Sequence, residues 1–181
     1  EQVLHSLHFT LIAVANHTAK NGLREIFSNW GEGGGSGTSL FIGTNGATQI
    51  RLTDAFSTAG HLSNPQSHFG LMAINSGDGA ATFQNGRLLA STASLPARKL
   101  LQPYTIGTQG TINGEYWQGD IAELIVINRG LNQTEQAGVW RYLAERYGFV
   151  TESDPINDPG HLALASLCHV LLNANEFVYL D

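Results

Sequence analysis

The chain has 181 residues, a formal net charge of −6, 42% hydrophobic residues and only 13% charged ones. That much apolar surface excludes a disordered polymer, and an acidic balance argues against nucleic acid, whose phosphates require clustered Lys and Arg. No apolar run approaches the roughly 20 residues that span a bilayer, and the length suits one ordinary domain with a good core. The single cysteine, Cys168, has no internal disulfide partner. The chain begins at Glu1 with neither Met nor a leader segment, and so reads as a piece of a longer protein.

Turn chemistry divides the first two thirds into strands. Asn-Gly occurs at Asn21-Gly22, Asn45-Gly46, Asn85-Gly86 and Asn113-Gly114, and this dipeptide favours hairpin turns because both residues accept positive φ. His8–Asn16 (HFTLIAVAN) and Glu25–Asn29 (EIFSN) read as strands, followed by a glycine-rich loop at Gly31–Gly37. Asn45-Gly46 joins Ser39–Thr44 to Thr48–Thr53, where Ile50 and Leu52 alternate with Gln49 and Arg51 as in a half-buried strand. Ser67–Asn75 (SHFGLMAIN) is almost continuously apolar and is predicted to be central. Asn85-Gly86 joins Ala80–Gln84 to Arg87–Ser91, and Gly119–Asn128 is the closing strand.

A helix follows that strand. Asn132 is a good N-cap, Glu135 completes a capping-box pattern, and Gly148 ends the helix as its C′ residue. Val139, Tyr142, Leu143 and Tyr147 recur at helical spacing, and Trp140 is expected to pack. The helix should cap an edge of an all-β, antiparallel two-sheet sandwich spanning residues 1–149. Phe9, Leu11, Phe41, Ile50, Leu52, Leu71, Phe83, Ile125 and Ile127 are its predicted core, although the parity of the continuous apolar strands stays open. Residues 150–158 form a polar, proline-containing linker. Residues 159–181 then open with Asp158-Pro159 as a second helix, apolar on nearly every side and therefore expecting a burial partner.

The segment GDIAELIVINRGLNQTEQAGVWRYLAERYGF resembles the closing strand and terminal helix of concanavalin A-like, laminin-G-like jelly-roll domains. The matching positions are Gly119, Ile121, Glu123, Asn128, Arg129, Leu131, Tyr142, Leu143, Ala144, Tyr147 and Gly148, and the upstream strands share the family's rhythm over roughly residues 3–149. The tail LASLCHVLLNANEFVYLD resembles the C-terminus of planctomycete-type exported multidomain proteins of unknown function, which often carry a cytochrome c-type domain. That likeness implies an exported parent, periplasmic or extracellular. No C-x-x-C-H motif occurs, so no haem belongs to this piece.

Catalysis finds little support. The seven histidines include no H-E-x-x-H motif, and no cysteine pair exists for a zinc site. Retaining glycosidases of this fold project two carboxylates from one strand, about 5 Å apart. Asp120 and Glu123 point to opposite faces, as do Glu115 and Asp120. Glu123 reads as a structural carboxylate, paired with Arg129 or a backbone N–H. The resemblance admits calcium at the sandwich rim, with Asp54 and Asp78 as weak candidate ligands. No other cofactor is expected.

Binding is the surviving functional class. Sugars are recognised by aromatic faces and planar polar side chains, and Trp30, Asn113, Tyr116, Trp117 and Gln118 are the candidates. Trp117 has a competing reading as core packing. The leading expectation is a non-catalytic module that binds carbohydrate or another extracellular polymer. The alternative is a structural domain that contacts other domains of its parent. Whether Trp30 and Trp117 share one accessible side discriminates the two.

Overall fold

Period-2 alternation becomes two faces once strands pair, and here it builds two layers. In a computed structural model of the chain, the described residues are 4, 7–18, 21–30, 40–46, 49–52, 56–59, 68–97, 100, 102–110 and 114–151. Among them run β1 (Phe9–Ala15), β2 (Leu23–Ser28), β3 (Phe41–Asn45), β4 (Gln49–Leu52), β5 (Phe56–Ala59), β6 (Phe69–Ser76), β7 (Gly79–Gln84), β8 (Arg87–Thr92), β9 (Thr105–Ile106), β10 (Ile121–Ile127) and α1 (Gln133–Tyr147). The first sheet has the order β10-β1-β6-β7-β8 and the second β5-β4-β3-β2-β9. Every pairing is antiparallel. The predicted central strand is β6, in the middle of the first sheet. Strand β5, of four residues, has no counterpart in the sequence reading, while the two-residue β9 falls in the short strand expected after Tyr104. Residues 31–39 and 152–181, with the glycine-rich loop, most of the linker and the apolar tail, lie outside the described residues.

The register settles the parity. Phe9, Leu11 and Ala13 of β1, Phe69 and Leu71 of β6, and Ile42, Ile50 and Leu52 of the second sheet share the core between the layers. Ile12 and Val14 of β1 and Met72 and Ile74 of β6 face the other way, under α1. Phe83, Ile125 and Ile127 join this second cluster and not the space between the sheets, contrary to expectation. The reason is register: Ile127 lies opposite Thr10, and Phe83 opposite Met72. Phe41 is also corrected: it is fully buried but lies outside both apolar clusters, on the opposite side of β3 from Ile42.

The helix lies on the outer face of the first sheet, not along an edge, and buries Trp140 and Leu143 there. Asn132 Oδ1 accepts from Glu135 N and Glu135 Oε2 accepts from Asn132 N, both at 3.0 Å. Gly148 takes φ 70°, a left-handed value suited to glycine, and donates to Ala144 O at 2.8 Å. Its entry is tied to β1 by fully buried Thr10, whose hydroxyl donates to Arg129 O and accepts from Leu131 N. Glu123 holds the far end, accepting from Tyr147 OH at 2.7 Å and Tyr142 OH at 3.0 Å, with Arg146 at 3.6 Å. The structural reading of Glu123 therefore stands with different partners. Arg129 instead forks onto Glu135, with two contacts of 2.7 Å, and holds that carboxyl down at about 2.

Candidate functional site

Helix α1 covers the β10, β1 and β6 part of the outer face of the first sheet, while the outer face of the second sheet has no helix over it among the described residues. The rows there follow from pairing. Glu25 of β2 lies opposite Gly43 of β3, and Gly43 opposite Arg51 of β4. A bulge in β2 between Glu25 and Phe27 presses the Arg24 carbonyl toward Gly43, where a Cβ would clash with it. Glycine at 43 thus brings Glu25 and Arg51 onto one row without a side chain between them.

The segment from β9 to β10 then folds over this row. Gly107 N donates to Ile26 O at 2.8 Å and Glu25 N to Glu115 O at 3.0 Å. Arg51 Nη1 meets Glu115 Oε2 at 3.2 Å, and Gln109 Nε2 donates to Glu115 Oε1 at 3.2 Å. Glu115 has φ 48°, a left-handed conformation costing a non-glycine residue about 1 kcal/mol, offset here by its three contacts. The Arg51 guanidinium also lies 4.7 Å from the Phe41 ring centroid, a cation–π distance. Trp30 packs edge-on against Phe41 at 5.9 Å, and its backbone N–H donates to Ser28 Oγ at 3.0 Å. Asn29 ties the end of β2 to the start of β3 by accepting from Leu40 N at 2.6 Å. Gly110 packs against the Trp30 backbone, where any Cβ would clash.

Glu25 is 1% exposed, and its Oε2 has no hydrogen-bond partner among the described residues. Loss of solvation, with a smaller push from Glu115 and an opposing hydrogen bond from Ser28, raises its carboxyl from 4.5 to about 8. A raised folded value means that the native state holds a proton the unfolded chain releases near 4.5. The resulting stabilisation is complete below about pH 4.5 and is lost as pH climbs through about 8. Urea midpoints compared between native protein and Glu25→Gln should therefore diverge with pH. The native protein should lose up to about 1.4 kcal/mol per pH unit more than the variant in that window. Parallel pH profiles would show that Glu25 does not carry the proton.

The five sequence candidates separate in space. Trp30 joins the Glu25–Arg51–Glu115 row. Tyr116, next to Glu115, is 54% exposed, and Gln118 is exposed while its carbonyl accepts from Thr18 N at 2.8 Å. Trp117 turns inward against the core, edge-on to His17 at 5.6 Å, and donates to Asp120 O. Trp30 and Trp117 therefore do not share an open side, so the expected two-tryptophan platform is absent among the described residues and a binding face would have to be built around Trp30 without Trp117. Asn113 and Asp54 lie outside the described residues. Asp78 sits on an exposed turn, and among the described residues no group of three or more His, Cys, Asp or Glu gathers as a metal site. Glu25, Phe41, Arg51, Gln109 and Glu115 escaped the sequence reading. The available signal was the parity of Arg51, which must face away from Ile50 and Leu52.

No protein-family model and no curated protein sequence matches the chain. Its backbone is similar to solved structures. The CBM40 of the Ruminococcus gnavus IT-sialidase bound to α2,6 sialyllactose superposes with a TM-score of 0.59 at 16% identity, covering 73% of this chain and 82% of that one. Another structure of the same CBM40 gives a TM-score of 0.61 at 14% identity, covering 74% of this chain and 83% of that one. A Trypanosoma rangeli sialidase gives 0.59 at 15% identity over 78% of this chain but 23% of that one. The fold is a jelly-roll sandwich. Among the described residues, no helix is long and apolar enough to cross a membrane.

Proposed function

We propose that this jelly-roll domain is a non-catalytic carbohydrate-binding module whose ligand lies on the outer face of the second sheet. The observation that carries the reading is Glu25 Oε2, buried without a partner beside the Arg51–Glu115 pair and Trp30. An unsatisfied buried polar atom costs about 1–3 kcal/mol; at 1% exposure, a sugar hydroxyl or amide satisfies it only by displacing the side chains that cover it. The structural likeness to CBM40 modules supports the same class of ligand. Catalysis fits poorly: the Glu115 carboxylate is committed to Arg51 and Gln109, whereas a retaining glycosidase needs a free carboxylate nucleophile about 5 Å from a second carboxyl. The laminin-G-like likeness, an exported multidomain parent and its tail belong to the same proposal. A rim calcium held by Asp54 and Asp78 would make binding sensitive to EDTA.

A glycan array of neutral and sialylated sugars tests the reading. Binding should appear, and Trp30→Ala should weaken it by at least about tenfold, as for other aromatic anchors. Silence across the array would favour the alternative, a domain that contacts its parent's other domains.

A further inference from the structure

The outer face of the first sheet is only partly roofed. Helix α1 packs over β1, β6 and β10 through Ile12, Met72 and Ile125, while β8 at the far edge is exposed at four of its six positions. Beside the first turn of the helix opens a depression of about 380 Å³. Ile74 and Phe83 line it from the sheet, Leu131 and Gln136 from the start of the helix, and Asp78 and Ser91 from the opposite rim. The hollow exists because small side chains, Ala81 and Ser91, stand opposite each other on β7 and β8.

The lining has a definite chemistry. No Lys or Arg contributes to it, and its charged group is Asp78, so an anionic ligand would meet the repulsion of a full charge with only the partial positive charge at the start of α1 to offset it. Gln136 Nε2 donates to Leu131 O at 2.9 Å, which fixes the amide and leaves its carbonyl oxygen as an acceptor. The Asp78 turn is fixed by its own N–H on Ser76 Oγ at 3.3 Å, leaving the carboxylate free for hydroxyl donors. Phe83 is half-buried and supplies part of a ring for apolar C–H groups. Ligand pockets span about 300–1,000 Å³, so this one suits a single ring unit and not a polymer chain.

We propose that this depression is a second saccharide site, which takes one neutral sugar residue with its C–H face on Phe83 and its hydroxyls donated to Asp78 and Gln136. It shares the ligand class with the function proposed above, and Asp78 is also the rim calcium candidate named there, so the probes are tested without added calcium. Its residues lie on the other sheet from the Arg51–Glu115 face.

The test uses the full chain, isotope-labelled, with methyl glucoside, methyl galactoside and N-acetylglucosamine as neutral probes and sialyllactose as the acidic one. Neutral probes should move the amide resonances of Asp78, Ala81, Ser91 and Gln136 at millimolar concentrations, and sialyllactose should bind there at least about tenfold more weakly. Asp78→Lys and Ser91→Trp, both at exposed positions, should weaken the neutral response by at least about tenfold. Asp78→Asn, which keeps the shape of the turn, should show the same loss in smaller measure. Trp30→Ala should leave these shifts in place. Unmoved resonances with every neutral probe, shifts that survive the variants, or sialyllactose bound as tightly as the neutral sugars would each overturn the site. Movement here with a silent Trp30 face would retire the reading of that face and keep this one.

Discussion

Replacing Leu143 with aspartate is expected to destabilise the fold by several kcal/mol, about 4 or more, measured as a lowered urea midpoint. Leu143 is 0% exposed and packs with Trp140 over Ile12, Val14 and Met72. The substitution removes about 2 kcal/mol of apolar burial and places a carboxylate where no cation is packed. The aspartate would escape part of the penalty by protonating, so the loss should shrink as pH falls. The capping network at Asn132 and Gly148 cannot compensate, because a cap contributes about 1 kcal/mol. A change within about 0.5 kcal/mol would mean that α1 is not docked on the first sheet.

Arg51→Ala is the second large effect. The side chains of Arg51 and Glu115 are 13% and 16% exposed, so the pair is mostly shielded from water. Removing the cation leaves the Glu115 charge beside the Glu25 carboxyl, and such removals cost about 3–5 kcal/mol. Phe41 also loses the guanidinium lying over its ring. Replacing both members, Arg51→Met with Glu115→Leu, should recover most of that loss, because an apolar pair of similar size needs no solvation. A double-mutant cycle of urea midpoints reads the coupling directly. The double variant should lose glycan binding on this face while keeping its fold, which separates the ligand role from the structural one. Near-additive single effects would show that the two side chains do not depend on each other.

Much of the architecture was legible before any coordinates. Asn85-Gly86 joins β7 to β8 with both residues at positive φ, 48° and 84°, as that dipeptide implies. The caps of α1 fall on Asn132 and Gly148. These are local signals, each decided within a few residues of chain. The candidate site was scarcely legible. Arg51 and Glu115 are 64 positions apart, and Glu25 was legible only as the first residue of a strand, EIFSN, with nothing local to say that it would be buried. Nor could period-2 alternation say that Phe41 would stack under Arg51, or that Trp117 would turn into the core. The first depends on the register of β3 against β4, and the second on how the segment before β10 packs against β1 and its neighbours.

The sequence by itself determined the strands, their hairpin turns, the capped helix and the acidic, charge-poor character of the chain, because each follows from backbone preference and nearest-neighbour pattern. Only the tertiary structure decided which face of each strand meets the opposite layer, that α1 roofs one outer face, and that two glutamates and an arginine converge on the other. Those outcomes rest on long-range register, where a shift of one residue reverses every side chain, and on desolvation, which exists only once distant segments have closed over a group.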